Sequence, residues 1–344
     1  MERPREQLID RVRSSLEKAG FFVSDVHAVR PTSFDLVARR DSLLLLIKVL
    51  KNIDALDAGE AERLKELGEL FPALPIVVGR TSGPTPLETG VVYSRYDVPI
   101  LAEESLHDYL LKGLPPFLFS SPGGIFARVD GARLRAIRDE RQLSLGALAS
   151  VAGVSRRTIQ LYEDGAGGEV EVIQRLEAFL GEPIALAIDL FGGRFGRPPA
   201  GGSGPDDAEG GPGEESRGGR ATERPPAAVP RTGDAMRDVV LRQLNGMGWE
   251  VTVTLRCPFD AFTQGPRPSE EEVLLTSVGS VRTARQRAEI LRQLARVIEG
   301  HVLFVVQDAP RVAIDGMPLV TVQELARHRD RHELVDLLEE REQR

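Results

Sequence analysis

The stretch LRAIRDERQLSLGALASVAGVSRRTIQLYED, Leu134–Asp164, decides how the chain is read. Its apolar residues recur at helical spacing in three short blocks, and Ala152-Gly153-Val154-Ser155 joins the last two through a tight turn with glycine at its corner. Ser144 stands before LGALASVA as an N-cap, and Leu145, Leu148, Ala149 and Val151 give that helix an inward face. Ser155 repeats the arrangement before RRTIQLYE, where Ile159 and Tyr162 face inward and Arg156, Arg157, Thr158 and Gln160 remain for solvent or DNA. The spacing predicts a helix-turn-helix whose second helix has a hydrogen-bonding N-terminal end. Such an end meets base edges in the major groove, where arginine forks onto guanine and glutamine onto adenine.

LSLGALASVAGVSRRTIQLYEDG resembles the phage-repressor, Cro-like (XRE) helix-turn-helix family, with flanking helices that carry the likeness from Gly131 to Leu190. The resemblance implies sequence-specific DNA binding, with Arg156, Arg157 and Gln160 on bases, Ser155 and Thr158 on phosphates, and Ser144 among the DNA-binding residues. It also implies a homodimer on a two-fold operator in double-stranded DNA.

The 344 residues, 41% hydrophobic and 28% charged, suffice for two or three domains, and an aromatic content of 5% rests their cores on Leu, Val, Ile and Ala. Cys257 is the single cysteine, which excludes an intramolecular disulfide framework and fits a reducing interior. MERPREQLIDRV is charged and lacks the apolar segment of a signal peptide. The run Leu43 to Ile47 is far too short to span a bilayer. A cytoplasmic protein with no membrane partner is expected. The net charge of −8 argues against non-specific coating of nucleic acid, which relies on many cations, but not against a specific reader. Around the motif, Arg128, Arg133, Arg135, Arg138, Arg141, Arg156 and Arg157 concentrate positive charge, about half of it expected to be ordinary helix surface.

Before the motif, Leu8, Ile9, Val12 and Leu16 mark a helix over Glu2 to Ala19. FFVSDVHAV, FDLVARR and LLLLIKVL read as strands, the third apolar on both faces and therefore central. A helix over Ala58 to Leu70, the strands PIVVG, GVVYSR and VPILA, and a helix over Glu103 to Lys112 follow. This order, with Phe-Asp opening one strand and a lysine in the next, resembles the PD-(D/E)XK nuclease-like fold and most closely its Holliday-junction-resolvase branch, over roughly Arg5 to Gly79. The resemblance implies two acids on a divalent metal and a lysine positioning the attacking water. Asp35 matches the first acid and Lys48 the lysine, but Leu46 stands where the second acid belongs. One carboxylate holds Mg²⁺ weakly against water. Glu6, Glu60 or Glu62 would have to substitute, so Asp35 and Lys48 are vestigial candidates, with Lys48 pairing with Asp35 or snorkelling to the surface.

Gly192 to Asp234 is dominated by Gly, Pro, Ala and charge and reads as a disordered tether. Beyond it the first module recurs: MRDVVLRQLNGMGWEVTVTLRCPFDAFTQG lies over REQLIDRVRSSLEKAGFFVSDVHAVRPTSFDLVARR, and EVLLTSVG follows as LLLLIKVL did. Asp260 then takes the place of Asp35, Leu275 that of Leu46 and Ser277 that of Lys48, while Trp249 takes that of Phe21 as a core anchor. Modules missing their metal and water-activating groups twice over read as scaffolds for protein or for the DNA backbone. His328 and His332 are four apart in a helical segment without a third ligand and read as a solvated face. No base travels with Cys257.

The expected fold is multidomain α/β plus all-α, with two diverged nuclease-like α/β modules flanking a Cro-like bundle. The expected boundaries are a degenerate nuclease-like domain over 1–122, the helix-turn-helix domain over 123–191, the tether over 192–234 and the second module over 235–344. The arrangement resembles an archaeal family of HTH-type transcriptional regulators. The function so implied is a DNA-binding transcriptional regulator that is not an enzyme and uses no cofactor or metal. The alternative is a metal-dependent nuclease or resolvase targeted by the helix-turn-helix.

Overall fold

Lys48 is 6% exposed, buried along the middle of a ten-residue strand, and this replaces the expected snorkelling of its amine to the surface. The run around it is the reason. Leu44 to Leu50 are buried without interruption, as a strand covered on both faces requires. The computed structural model describes residues 4–25, 33–192, 230–265, 272–309, 312–314 and 316–342. The tether read between Gly192 and Asp234 lies almost wholly outside them.

In chain order the first elements are α1 (Pro4–Lys18), β1 (Phe22–Asp25), β2 (Leu36–Arg40), β3 (Leu43–Asn52), α2 (Ala58–Leu70) and β4 (Leu74–Ser82). Then come β5 (Thr85–Pro86), β6 (Val91–Arg95), β7 (Val98–Ala102), α3 (Glu103–Lys112), β8 (Leu118–Ser121) and β9 (Gly124–Val129). Four helices follow, α4 (Gly131–Glu140), α5 (Leu145–Ala152), α6 (Arg156–Glu163) and α7 (Val170–Leu180), with β10 (Gly168–Glu169) before α7 and β11 (Ala185–Leu186) after it. The last third holds α8 (Ala235–Gly246), β12 (Glu250–Val253), β13 (Ala261–Gln264), β14 (Val273–Gly279), α9 (Val281–Ile298) and β15 (His301–Val306). It ends with β16 (Ala313–Ile314), β17 (Met317–Thr321), α10 (Val322–Leu325) and α11 (Arg331–Glu342).

The chain divides into two units. One comprises Met1–Gly20, Lys48–Lys65 and Leu74–Ser216; the other comprises Phe21–Ile47, Glu66–Ala73 and Arg217–Arg344. In the first, the strand order from β4 is β4-β7-β6-β8-β9-β10, with β11 also on β9. β4 and β7 run parallel, as do β6 and β8, while β8 and β9 form an antiparallel hairpin pairing Phe119 with Phe126. The turn of that hairpin falls at the expected 122/123 boundary, so the sheet of the N-terminal part continues into the strands against which the helices pack. α1 lies against α3, where Ser15 Oγ and His107 Nδ1 are 3.2 Å apart.

In the second unit, β1, β2 and the start of β3 are antiparallel, with Leu36 opposite Ile47 and Val37 opposite Leu46. A six-stranded sheet has the order β12-β13-β14-β15-β17-β16. Its first three strands are antiparallel and β14, β15 and β17 are parallel. Its core gathers Val240, Leu244, Trp249, Leu274, Leu303 and Leu338, so Trp249, 2% exposed, is the expected anchor. α9 also lies against β1 and β2, where Arg39 donates to the Val297 carbonyl at 3.0 Å and pairs with Glu299 at 2.9 Å. The Phe71 ring meets Phe262 edge-on, 5.1 Å between centroids.

Candidate nucleic-acid interface

Capping fixes the two helices of the motif. Ser144 Oγ accepts from the Ala147 N–H at 3.0 Å, and Ser155 Oγ accepts from the Thr158 N–H at 3.1 Å. Each satisfies a donor that the helix start leaves without a partner. Between them Gly153 adopts φ 72°, a left-handed conformation that glycine takes without penalty and that lets α5 end and α6 leave at a new angle. Leu148, Ala149, Ala152, Ile159 and Tyr162 are buried together with Leu134, Ile137, Val172, Ile173 and Leu176.

What the packing leaves outside is short and cationic. Arg156, Arg157 and Gln160 are exposed and Thr158 is half-buried. Neither α5 nor the first turn of α6 carries an acid. The N-terminal end of α6 therefore joins a helix dipole's positive end to two guanidinium groups. Arg156 lies back over α5, its Nε 3.0 Å from where a Cβ on Gly146 would stand. Ser155 Oγ and Thr158 Oγ1 are 2.9 Å apart.

The other arginines around the motif are mostly spent inside the bundle. Arg133 and Arg141 both pair with Glu182, at 3.3 and 2.7 Å. Arg135 pairs with Glu163 at 3.3 Å and Asp164 at 3.0 Å, and Arg138 chelates Glu163 through Nε and Nη2. The Glu163 side chain is only 4% exposed. Its hydrogen bonding outweighs burial and raises the pKa of Arg138 above its usual high value. This pair ties α4 to the end of α6, where a Cβ on Gly131 would stand 2.3 Å from the Glu163 carbonyl oxygen. Of the seven arginines read as a positive cluster, four thus hold the bundle together. Glu163 and Glu182 escaped the sequence reading because Arg138 and Glu163 are 25 residues apart, beyond any local spacing rule.

The nuclease-like positions are buried and short of metal ligands. Asp35 is 1% exposed and its N–H donates to the Ile47 carbonyl at 2.8 Å. Leu46, the residue at the second-acid position, is fully buried. Glu62 is exposed and pairs with Lys65 at 2.9 Å. Among the described residues no three of His, Cys, Asp and Glu come together as a metal would need. The donor set does not fit the divalent ion that this fold implies, which needs several hard oxygens. His328 lies before α11 rather than on it, and the two histidines face different acids: His328 is 3.8 Å from Glu333 and His332 is 3.7 Å from Glu272.

Comparison with known proteins matches the same two regions. The sequence model of the PD-(D/E)XK superfamily domain fits residues 5–116, and that of a helix-turn-helix domain fits residues 131–187. Proteins named "Putative HTH-type transcriptional regulatory protein" are similar along their whole length. That of Halobacterium salinarum is 38% identical, covering 98% of both chains. That of Natronomonas pharaonis is 34% identical over 98% of both, and that of Methanocella arvoryzae 35% over 98% of this chain and 97% of its own. No solved structure matches.

Proposed function

The chain belongs to the archaeal family of HTH-type transcriptional regulatory proteins and is a DNA-binding transcriptional regulator, and from that premise we propose that α6 reads its operator in the major groove. The carrying observation is the exposed, acid-free start of α6. Arg156, Arg157 and Gln160 read base edges, and Ser144, Ser155 and Thr158 meet phosphates. Arg157→Ala costs about 1–3 kcal/mol on the operator and relaxes preference at one base pair. Anisotropy titration of operator and random duplexes tests this, and equal loss on both would refute the assignment. Mapping of bound sites across the genome supplies the operator sequence.

The protein works in the cytoplasm as a homodimer on half-sites one helical turn apart. Sedimentation as a monomer both free and on operator DNA would overturn the dimer. Among the described residues no helix is long and apolar enough to cross a membrane.

The parts over 1–122 and 235–344 are diverged copies of one module on either side of the reader over 123–191. The supporting observation is register. Asp35 N–H bonds Ile47 and Leu36 faces Ile47, just as Asp260 N–H bonds Thr276 and Ala261 faces Thr276. Within the second unit the order β1-β2-β3 recurs as β12-β13-β14, and within the first the order β4-β7-β6 has its counterpart in β15-β17-β16. Both copies are scaffolds without catalysis, since Leu46 and Leu275 stand where an acid would hold the metal. Cleavage of duplex or branched DNA with Mg²⁺ or Mn²⁺, abolished by Asp35→Ala, would restore the nuclease reading that the PD-(D/E)XK match keeps in view.

A further inference from the structure

In the last module, Asp260, the residue aligned with Asp35, is held by two arginines. Asp260 is 6% exposed and stands just before β13, its N–H donating to the Thr276 carbonyl of β14 at 2.8 Å. The Val278 N–H donates to its Oδ2 at 2.8 Å, which fixes the carboxylate. Arg237, from the first turn of α8, approaches Oδ1 at 3.1 Å. Arg287, from α9, approaches Oδ2 at 3.3 Å and donates to Ser277 Oγ at 3.0 Å. The two positive charges that a divalent ion would bring are supplied by two fixed cations of the chain itself.

The arrangement carries more cation than it needs. Two guanidinium groups face one carboxylate, leaving one net positive charge, and ten N–H donors serve far fewer acceptors. Arg237 Nε is buried and, among the described residues, bonds no acceptor. A buried donor without a partner is uncommon, so the chain's own acceptors leave the Arg237 guanidinium incompletely satisfied. Arg237 and Arg287 keep 31% and 22% of their side chains exposed, so a ligand can reach them. The fork of a guanidinium matches the oxygens of a phosphate.

We propose that Arg237, Arg287 and Ser277 form an oxyanion site that takes a phosphate group, in the protein's use a phosphate of the DNA backbone. The DNA source rests on the regulator reading; the oxyanion chemistry does not. Asp260 spaces the two forks by its shape, which asparagine keeps, while its charge competes with a bound oxyanion.

The test uses the full chain in two arms. Inorganic phosphate is titrated by calorimetry in chloride buffer against wild type, Arg237→Gln and Asp260→Asn. Wild type binds, Arg237→Gln weakens binding at least tenfold, and Asp260→Asn tightens it severalfold, because the near-isosteric change removes the only negative charge of the cluster. A role confined to structure would not tighten binding in Asp260→Asn, and that variant decides the matter even where Arg237→Gln fails to fold. Operator and random duplexes are then titrated against salt. A backbone contact makes Arg237→Gln lower the slope of log K against log salt by about one on both duplexes alike. Phosphate binding without a change in slope assigns the site to free phosphate. Phosphate affinity unchanged in both variants overturns the proposal. Loss of operator preference in Arg157→Ala is read in the same titration, so failure of the reader and failure of this site are seen separately.

Discussion

Glu163 shows how one side chain governs a surface it does not join. Buried and chelated by Arg138, it fixes α4 against the end of α6 and leaves Arg156 and Arg157 as the cations of the exposed start. Glu163→Gln removes the buried partner of Arg138, which keeps only its ion pair with the exposed Asp139 at 2.7 Å, and lowers stability by about 1–3 kcal/mol, measured by urea denaturation. Restoration of most of the loss in the double variant with Arg138→Met would assign it to the unpaired guanidinium rather than to lost packing; no recovery would refute it. The sequence makes the caps and corner legible, because Ser144, Gly153 and Ser155 act within four residues of their partners. It hides the ion pairs and the Asp260 cluster, because Arg237, Asp260, Ser277 and Arg287 meet only after two helices and two strands have folded.

At the scale of elements, the helices over Ala58–Leu70 and Glu103–Lys112 and the strand over Val98–Ala102 were readable to the residue, since apolar spacing and boundary residues agree there. The β8 and β9 hairpin was not. Its Leu118, Phe119, Ile125 and Phe126 are only half-buried, and Pro122-Gly123-Gly124 reads as a connector between domains. A second element-level feature gives a pH dependence. His301 opens β15 and lies 3.7 Å from Glu342 at the end of α11. Hydrogen bonding to Glu342 raises its pKa above the ordinary 6.5, against an opposing pull from burial. A histidine raised in the folded state contributes stability that is full below about 6.5 and is lost as pH rises through the raised value. The difference in Tm between wild type and Glu342→Gln is accordingly largest in mild acid and shrinks through neutrality. A difference flat from pH 5 to 8.5 would exclude the pair as a stabilising contact.

For the whole molecule, net charge is a poor guide to what it binds. The chain carries −8, yet the start of α6 bears two arginines and no acid, because acids elsewhere are paired internally or lie on other helices. The first unit should also behave as one cooperative piece. Since β6, β8 and β9 are consecutive strands of its sheet and α4 to α7 pack on β9, hydrogen exchange should find β6 and α6 opening together. Val92→Ala in β6, at a position 1% exposed, lowers protection in α6 by the same factor as in β7, and an α6 whose protection is untouched would refute the coupling.

The strands that β9 shares with its neighbours on both sides have a consequence for descent. A reader joined by a loop can be cut out and traded between genes as a cassette, whereas one whose supporting strand completes another module's sheet cannot be excised without leaving both halves with an open edge. Recombination at that junction would break one continuous sheet, so the two pieces are expected to descend together. That fits relatives whose likeness runs across 97–98% of their length, rather than stopping where the reader begins.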